Sequence, residues 1–508
     1  MQAVLYQEGE TAVTETKESK NRCVLTLPLL TEPYQEHIIE KRFKILEHLQ
    51  NSLIAMELRK LKNIQRTRAY RELEQSILQL PKEKRRPLYQ QRRQMLEKAG
   101  FSRNAFKDDI TPMQKHFVEQ IATHVAHHVA SDVWRAFDKH LYHGAKKVHF
   151  KHRGTLSSAA NQTAGNAMSM KDDMFIWSGG QSKDKITLRI RVQKPDTDYE
   201  RDMLQKKVKY FRVVRKWVKT RYKYYLQLTL VGEPAARHRP IGEGRVGIDI
   251  GTQSVAIVSA EQAHLWELAD RVNANHEKML RLQRKMDSSR RSMNPENYNE
   301  DGTIRRGIRL RWIQSNRYRK LAGQIRELQR KNADIRKYQH VCLANYILTL
   351  GSEIYVEDMD YRAMQRRAKK TEKNKHGRFK RKKRFGKSLA NKAPSMFLTI
   401  LDTKLQQATG SGLRRVNKWS FRASQYDHLS QKYTRKTLGT RNFTLNNGDF
   451  VQRDLYSAFL IMNADVTLSQ PDQQRCEQTY SAFILHHNQE LNRIQAENKP
   501  HLSSFGIA

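Results

Sequence analysis

The net charge of the chain is the feature that most limits what it can fold into. Its 508 residues include 94 Lys and Arg against 52 Asp and Glu, which leaves a formal charge of +42 at pH 7. Self-repulsion of that size weakens a compact state, and a ligand whose phosphates neutralise the charge and release counterions compensates for it. The charge therefore predicts a polyanionic partner, and nucleic acid in particular.

The densest charge run extends from Arg362 to Lys387, where fourteen Lys or Arg stand against the single acid Glu372. Such a run cannot collapse on itself, so it is either a solvated loop or an arm held by phosphates. We predict that it follows the nucleic-acid backbone. The residues predicted to make this contact are Arg366, Arg367, Lys369, Lys370, Arg378, Lys380, Arg381, Lys382, Lys383 and Arg384.

The length and the cysteine content narrow the class of protein. At about 150 residues per domain the chain holds several domains, and its 38% of apolar residues can supply several cores. Cys23, Cys342 and Cys476 are too far apart for a CxxC pair and too few for a disulfide framework, which fits a reducing cytosol. Without an 18-residue apolar run or a charged and apolar leader, the sequence predicts neither a membrane span nor a secretory signal.

Hydrophobic periodicity divides the first half of the chain. The run NRCVLTLPLL predicts a strand, and helical spacing of apolar residues begins at about Pro33. After Gly144 apolar and polar residues alternate, which predicts further strands. Thr111-Pro112 is expected to open one of the helices. The predicted parts are a polar tail (1–20), a first strand (21–32), a helical module (33–143) and a β-rich module (144–236).

The second half begins with RVGIDIGTQSVAIVSA, which predicts a buried strand, a tight glycine turn and a second strand. Two helices, at roughly 264–293 and 311–348, are expected to form an antiparallel hairpin. SEIYVEDMD then predicts a short strand that ends in acids. The predicted parts are a sheet-containing core with a helical insertion (237–425), a hairpin (426–449) and a last core motif with a helical tail (450–508).

Three carboxylates lie at strand ends or beside them: Asp249 in GIDIG, Glu357 in EIYVED and Asp454 in QRDLYSAF. An acid at the end of an apolar strand is costly unless something compensates it, and a divalent metal does so. Three carboxylates on one sheet can hold two Mg²⁺ ions for phosphodiester hydrolysis. Because neighbouring strand residues point to opposite faces, Glu357 and Asp358 cannot both reach such a site.

Each acid taken alone also has a plainer explanation. Asp249 can cap a turn, Glu357 can be a strand-edge acid, and Asp454 can be the N-cap of the following helix. GIDIG by itself is also similar to the opening of sugar-kinase and actin-like ATPase folds. The order of the motifs and their surroundings decide between these explanations.

The order GIDIG, helical insertion, YVEDMD, basic segment and RDLYSAF resembles the split RuvC nuclease of TnpB proteins and of the related type V CRISPR effectors. SLANKAPSMFLTILDTKLQQATGSGLRRVNKWSFRASQ and VWRAFDKHLYHGAKKVHFKHRG resemble other parts of that family, so the likeness covers about 20–465. The resemblance implies a multidomain α+β protein in which 33–143 is a helical recognition module and 21–32 with 144–236 is a β-barrel wedge module. A RuvC-like, RNase H-type α/β nuclease core (237–425) with a helical-hairpin insertion follows, then the degenerate zinc-ribbon hairpin (426–449) and the final RuvC motif with a helical tail (450–508). It also implies a guide-RNA-directed DNA endonuclease of the prokaryotic cytosol, associated with the nucleoid, with Asp249, Glu357 and Asp454 as catalytic carboxylates and ligands of Mg²⁺.

The resemblance breaks at one element, because family members usually carry a four-cysteine zinc ribbon between the second and third motifs. Here the aligned stretch has Thr444 and Asn447 at the second cysteine pair and Tyr426 near the first. Thiolates supply most of the affinity in such ribbons, so we expect no structural zinc. The hairpin must then be held by packing or by nucleic acid, and Tyr426, Leu429, Tyr433, Leu438 and Phe443 are the residues expected to pack it.

Two further groups are candidates for binding. His124, His127 and His128 lie at helical spacing that could bind metal, but no acid or fourth ligand accompanies them, so a polar or RNA-facing helix surface is favoured. Trp217 and nearby tyrosines lie among lysines and arginines, where an aromatic ring can stack on a nucleotide or fill a barrel core. We predict that Trp217 contacts nucleic acid.

Two other functions stay open at this point. A guide-RNA-dependent protein that binds DNA without productive cleavage would act as a repressor; the intact acids disfavour it and the lost ribbon favours it. An RNA-binding protein with no DNA target explains the charge but leaves the three acids without a purpose. The predicted partners are guide RNA and double-stranded target DNA, with no membrane.

Overall fold

The computed structural model describes residues 21–235, 240–367, 372, 377, 385–437, 439–497 and 501–506. The chain divides into two compact units, residues 1–237 and 238–508. Both contain helices and sheets around buried apolar cores, which agrees with the predicted multidomain class. Within the described ranges, no helix is long and apolar enough to cross a membrane.

The first unit is a group of helices packed with a strongly bent sheet. Its helices are α1 (Pro33–Arg66), α2 (Arg68–Gln79), α3 (Arg86–Lys98), α4 (Arg103–Lys115), α5 (Thr123–Tyr142) and α6 (Asp198–Leu204). Its strands are β1 (Arg22–Leu30), β2 (Ser158–Ala160), β3 (Met168–Lys171), β4 (Met174–Ser178), β5 (Thr187–Val192), β6 (Val208–Val218) and β7 (Arg221–Val231). The predicted first strand, helical stretch and β-rich stretch are confirmed as elements.

The seven strands follow the order β2-β6-β7-β1-β5-β4-β3, and the bend lies at β1. The register of β1 with β7 ends at Pro28, and Leu29 and Leu30 pair with β5 instead. Proline has no amide hydrogen to continue a ladder, so this position suits the change of partner. Among the described strands no registered pair joins β2 to β3, although β3 contacts β6, so closure of the sheet into the predicted barrel stays a prediction.

A buried arginine ties α1 to this sheet. Arg42 is fully buried, donates to the carbonyls of Trp177 (2.7 Å) and Ile186 (2.6 Å), and lies 4.8 Å from the Trp177 ring. A buried cation is tolerated only where hydrogen bonds replace its hydration. Arg42 therefore fixes the position of α1 on the sheet.

One predicted helix start is wrong. Thr111-Pro112 does not open a helix, because Pro112 lies inside α4 near its C-terminal end. The helix begins at Arg103, where the Ser102 side chain caps the chain by accepting from the Ala105 amide at 3.2 Å. The single hydrogen bond that Pro112 removes lies close to the end of α4, so the helix continues past it.

The second unit is built on a five-stranded mixed sheet. Its strands are β8 (Arg245–Ile250), β9 (Ser254–Ser259), β10 (Ala263–Glu267), β11 (Glu353–Glu357) and β12 (Arg414–Val416), followed by the short strands β13 (Tyr426–Asp427), β14 (Lys432–Tyr433), β15 (Asn442–Thr444) and β16 (Phe450–Gln452). Its helices are α7 (His276–Met293), α8 (Asn316–Leu350), α9 (Tyr361–Met364), α10 (Gly386–Lys392), α11 (Pro394–Thr409), α12 (Lys418–Phe421), α13 (Arg453–Met462) and α14 (Gln473–Ala496).

Helices cover both faces of the sheet, whose order is β10-β9-β8-β11-β12. Val246 and Ile248 of β8 face a core shared with α8 and α11, while Tyr355 of β11 faces a second core shared with α13 and α14. Burial on both faces explains why β9 is buried throughout and why its sequence reads as a continuous apolar run.

The predicted helix at 264–293 is partly wrong. Residues 263–267 form β10, which pairs antiparallel with β9, and a 3₁₀ turn at Asp270–Asn275 precedes α7. Ala263 and Leu265 are buried and alternate with partly exposed His264 and Trp266, which is the period of a strand. The helical hairpin is confirmed from His276 onward, since α7 packs against α8.

A glycine lets α13 lie directly on β8. A Cβ atom at Gly247 would lie 2.0 Å from the Ala458 carbonyl oxygen and 2.4 Å from the Met462 amide nitrogen. Real Cβ atoms do not approach backbone atoms this closely, so any side chain here must push α13 away from the strand. The hydrogen bonds from the Arg245 guanidinium to the carbonyls of Met462 and Ala464 fix the far end of the same crossing.

We expect Gly247→Ala to destabilise the protein by about 1–3 kcal/mol or more, because the helix backbone cannot yield as a side chain could. Gly323→Ala is the matched control: nothing lies within 4 Å of its added methyl group and the residue is inside α8. That change should be neutral or stabilising by about 0.4–1 kcal/mol. Chemical denaturation of both variants measures the difference, and equal midpoints would contradict the packing argument.

Candidate active site

Strand alternation brings two of the predicted acids to one face of the sheet. β8 and β11 run parallel with Ile248 beside Val356, so Asp249 and Glu357 each lie one residue beyond this pair. Gly247 and Tyr355, two residues earlier on each strand, face α13 and its core. By the same period Asp249 and Glu357 face the side of α13 as well.

The third acid comes from α13. This helix runs antiparallel to β8, because its C-terminal residue Met462 lies over Gly247 and Arg245, so its first turn lies toward the carboxyl end of the strand. Asp454 is in that first turn. The N-cap is Gln452, whose side chain accepts from the Leu455 amide at 2.8 Å, so the alternative role of Asp454 as N-cap is wrong.

The three acids are half-buried, and the charges of the other two act on Asp249. The pKa of Asp249 is raised well above its ordinary value by burial, and then by the charges of Asp454 and Glu357. Arg453 and the Ser457 hydroxyl offset part of this effect. The site therefore concentrates negative charge that the protein's own cations do not balance at Asp249.

Cations border the site. Arg453 donates two hydrogen bonds of 3.1 Å to one oxygen of Asp454 and a third to the Thr440 carbonyl. Burial raises the pKa of Glu357, and the charge of Lys418 partly lowers it. An anionic substrate such as a phosphodiester would meet these cations at the rim and the acids inside.

The predicted separation of Glu357 from its neighbour is confirmed. Glu357 is half-buried on the α13 side, whereas Asp358 is exposed and its amide donates to the Val416 carbonyl at 3.1 Å. Asp358 is therefore excluded from the carboxylate group, as the alternation of the strand requires.

Oxygen donors of this kind suit a hard divalent cation such as Mg²⁺. In the described parts of the chain no three His, Cys, Asp or Glu side chains are arranged as a ready ligand set for a metal ion. The fit of a cation therefore rests on the donor type and on the unbalanced charge at Asp249, which a bound cation would relieve.

Several residues of the site escaped sequence reasoning. The Tyr361 hydroxyl donates to the Ile250 carbonyl at 3.3 Å, and its pKa is raised first by burial and then by the charges of Asp249 and Glu357. Ser457 lies three residues after Asp454, so helical spacing from that acid could have indicated it. Arg453 is adjacent to Asp454 in the motif, but nothing in the sequence indicates that it pairs with its neighbour.

The predicted nucleic-acid contacts are only partly within the described residues. Arg366 and Arg367 are exposed, while Lys369, Lys370, Arg378 and the residues from Lys380 to Arg384 lie outside the described ranges. Trp217 lies in the first unit on β6, is 36% exposed, and packs edge-on against Tyr222 at 5.0 Å. Its role in binding nucleic acid stays a prediction.

The histidine cluster lies on α5 and shows different surroundings for each ring. His124 is exposed, His127 lies 3.0 Å from the Thr111 hydroxyl, and His128 lies beside Asp132 and Tyr210. These partners are those of a polar helix surface, which agrees with the favoured interpretation. The search of the described residues for metal-ligand groups returned none here.

The segment between α12 and α13 contains two small hairpins, β13–β14 and β15–β16. His428, in the turn between β13 and β14, is fully buried against α13 and α14, with its Nδ1 atom 2.6 Å from the Tyr456 hydroxyl and its ring 4.7 Å from that of Tyr480. Phe443 packs on Tyr456 at 5.6 Å, and the ring of Tyr426 lies 4.8 Å from that of Tyr433. Of the residues expected to pack this segment, Leu438 lies outside the described residues.

Comparison with known proteins gives structural similarity only. No protein-family model matches the chain, and the search of curated proteins found no match. Two solved structures that are similar to the chain are Cas12f complexes determined by cryo-EM. A Cas12f1–sgRNA–target DNA complex matches at 11% identity and a TM-score of 0.44, covering 86% of this chain and 98% of that one. A CRISPR-Cas12f ternary complex matches at 13% identity and a TM-score of 0.25, covering 84% and 82%.

The raised pKa of Asp249 predicts that Asp249→Asn stabilises the metal-free protein at neutral and alkaline pH. When the pKa of a carboxyl group is higher in the folded than in the unfolded protein, the protein loses stability as the pH rises through the folded value. Asparagine does not become charged, so the variant avoids this loss. The gain should shrink as the pH falls. Melting temperatures from pH 5 to 9 in chelator test this, with exposed Asp358→Asn as the control that should gain nothing; a loss of stability in Asp249→Asn at alkaline pH would contradict it.

We expect the protein to carry less than one zinc per chain, because between Ser424 and Asp454 the sequence offers one histidine and no cysteine. Elemental analysis after a chelator wash measures this directly, and one tightly held zinc per chain would refute it. Chelator should leave the melting temperature unchanged.

The packing that holds this region is tested by Phe459→Ala. The substitution empties a fully buried position stacked on Phe483 at 4.4 Å and should lower the free energy of unfolding by about 3–5 kcal/mol. Chemical denaturation measures the change.

Proposed function

We propose that the protein is a guide-RNA-directed DNA endonuclease that hydrolyses phosphodiester bonds of a target DNA after reading a short flanking motif. The observation that carries the proposal is the meeting of Asp249, Glu357 and Asp454 on one face of the second unit's sheet. The order of these motifs along the chain is that of the split RuvC nucleases of TnpB-like proteins and type V effectors, and the sheet with helices on both faces suits an RNase H-type core.

The chemistry assigned to the site is metal-dependent hydrolysis. Two Mg²⁺ ions held by the three carboxylates would supply an activated water and would steady the leaving oxygen. The chain's own groups have separate tasks. Arg453 orients Asp454 through two hydrogen bonds, the core beneath α13 holds the acids in place, and Lys418 at the rim attracts the phosphate of the substrate.

The guide and target partners follow from the charge and the motif order. A chain with a net charge of +42 can bind an RNA–DNA heteroduplex by its shape and backbone, leaving sequence to base pairing. Phosphate contacts are available in both units, from Arg189 and Arg191 on the exposed face of β5 and from the exposed Arg366 and Arg367 after β11. Only a short flanking motif would then need to be read by side chains.

The alternative is a guide-dependent binding protein that represses without cutting. Such a protein gains nothing from three half-buried acids, because their mutual repulsion raises the pKa of Asp249 and weakens the fold in the absence of a cation. A binding protein would be more stable with amides at these positions. The retained acids therefore favour cleavage.

Single substitutions of the acids test the proposal. Asp249→Ala, Glu357→Ala and Asp454→Ala should each lower Mg²⁺-dependent cleavage to below about one per cent of the wild-type rate, since ligands of a shared metal site act as a unit. Binding of RNA and DNA should persist. Asp358→Asn, at the exposed neighbouring position, should keep near wild-type cleavage, and any of the three variants that does so is not a catalytic residue.

Sequencing the RNA that copurifies with the protein tests the guide. A discrete scaffold that ends in a variable segment supports an RNA-guided function, whether the guide derives from a transposon or from a CRISPR array. A heterogeneous mixture of cellular RNA would instead favour an RNA-binding protein without a DNA target.

A further inference from the structure

An exposed tryptophan lies beside the carboxylate site without a role in it so far. Trp419 is 80% exposed, the largest fraction for an aromatic side chain among the described residues. Single exposed apolar side chains are common and need no explanation by themselves. What sets Trp419 apart is its position, its rigid support and the charges around it.

The position follows from the pairing of β12 with β11. Val416, the last residue of β12, is the registered neighbour of Glu357. Trp419 follows three residues later, on the one-turn helix α12. The indole therefore lies at the rim of the site, on the side of Glu357.

The backbone that carries Trp419 is held from three directions. The Asn417 side chain accepts from the Trp419 amide at 2.9 Å, and the Asn417 amide donates to the Leu468 carbonyl at 3.1 Å. Phe421, at the end of α12, is 1% exposed and anchors the turn in the core. An indole on such a support is a fixed surface rather than part of a loose loop.

A cation lies beside the indole. The Lys418 ammonium lies 5.4 Å from the centre of the Trp419 ring, and its charge acts on Glu357. Two further exposed arginines lie nearby along the chain, Arg415 and Arg422, and Arg422 lies over the Tyr433 ring at 4.3 Å. An aromatic face bordered by cations is the arrangement that binds single-stranded nucleic acid, with a base stacked on the ring and phosphates held by the charges.

We propose that Trp419 stacks on an unpaired base of the DNA strand next to the bond that is cut, while Lys418 contacts the adjoining phosphate. This inference rests on the proposed function, because it concerns the DNA strand that would be cut at the same carboxylate site. Both faces of a base inside a duplex are already covered by its neighbours, so only an unpaired or splayed base can cover this ring. Trp419 is thus a residue that positions the strand and favours single-stranded over paired DNA.

Stacking is measured without cleavage by placing the fluorescent base 2-aminopurine at successive positions of a single-stranded oligonucleotide. The protein is the Asp249→Ala variant with the RNA that copurifies with it. We expect quenching at one or two positions, lost in the double variant with Trp419→Ala and retained with Trp419→Phe. Tyr338→Ala, which removes a 64% exposed aromatic of α8, is the matched control and should keep the quenching. Quenching that survives Trp419→Ala at every position overturns the proposal.

Cleavage kinetics provide the second arm. In a protein with intact carboxylates, an abasic site at the quenched position should lower kcat/KM by about 5- to 150-fold, the range measured for loss of one stacked base. The same abasic site should cost nothing further in Trp419→Ala. An equal abasic penalty in wild type and Trp419→Ala refutes the stacking role while cleavage itself upholds the nuclease. Absence of any Mg²⁺-dependent cleavage refutes the proposed function. The quenching measurement still tests the stacking of a base on Trp419 in that case.

Discussion

The close crossing of α13 over β8 at Gly247 is the contact on which the candidate site depends. Because the strand has no side chain there, the helix backbone can lie against it, and the first turn of α13 then faces the end of β8. All eight residues from Leu455 to Met462 are buried, so apolar packing holds the helix in this position. That packing offsets the cost of bringing Asp454 toward Asp249 and Glu357, whose like charges would otherwise separate.

The three acids could be predicted from the sequence because each follows or opens an apolar segment, and because the order of the motifs resembles that of a known family. Prediction from the sequence failed where the decisive contact joins residues that are distant along the chain. The stretch at 263–267 reads as the start of a helix until its pairing with β9 is known, since five residues are too few to separate the two periods. Trp419 escaped for a similar reason, because its meaning depends on Val416 lying beside Glu357 in a neighbouring strand.

The hairpins after α12 are held by packing around a buried histidine. The rings of Tyr456, Tyr480 and Phe459 surround His428, and burial lowers the pKa of that histidine, so a neutral imidazole packs as one more ring. Arg453 connects this region to the site, because its guanidinium contacts both the Thr440 carbonyl and Asp454. The hairpins and the carboxylates are therefore linked through one side chain.

The arrangement of charge in the second unit also orders the events at the site. In the proposed nuclease a phosphodiester would be attracted by Lys418 at the rim and repelled by the acids beyond it, where burial and then the charges of Asp454 and Glu357 raise the pKa of Asp249. A bound divalent cation would reverse the sign of the interior, so the phosphate would move from the rim to the acids only with a cation present. Strand binding at the rim and entry of the scissile phosphate are then separable steps. The first depends on cations and the exposed indole, and the second on the carboxylates.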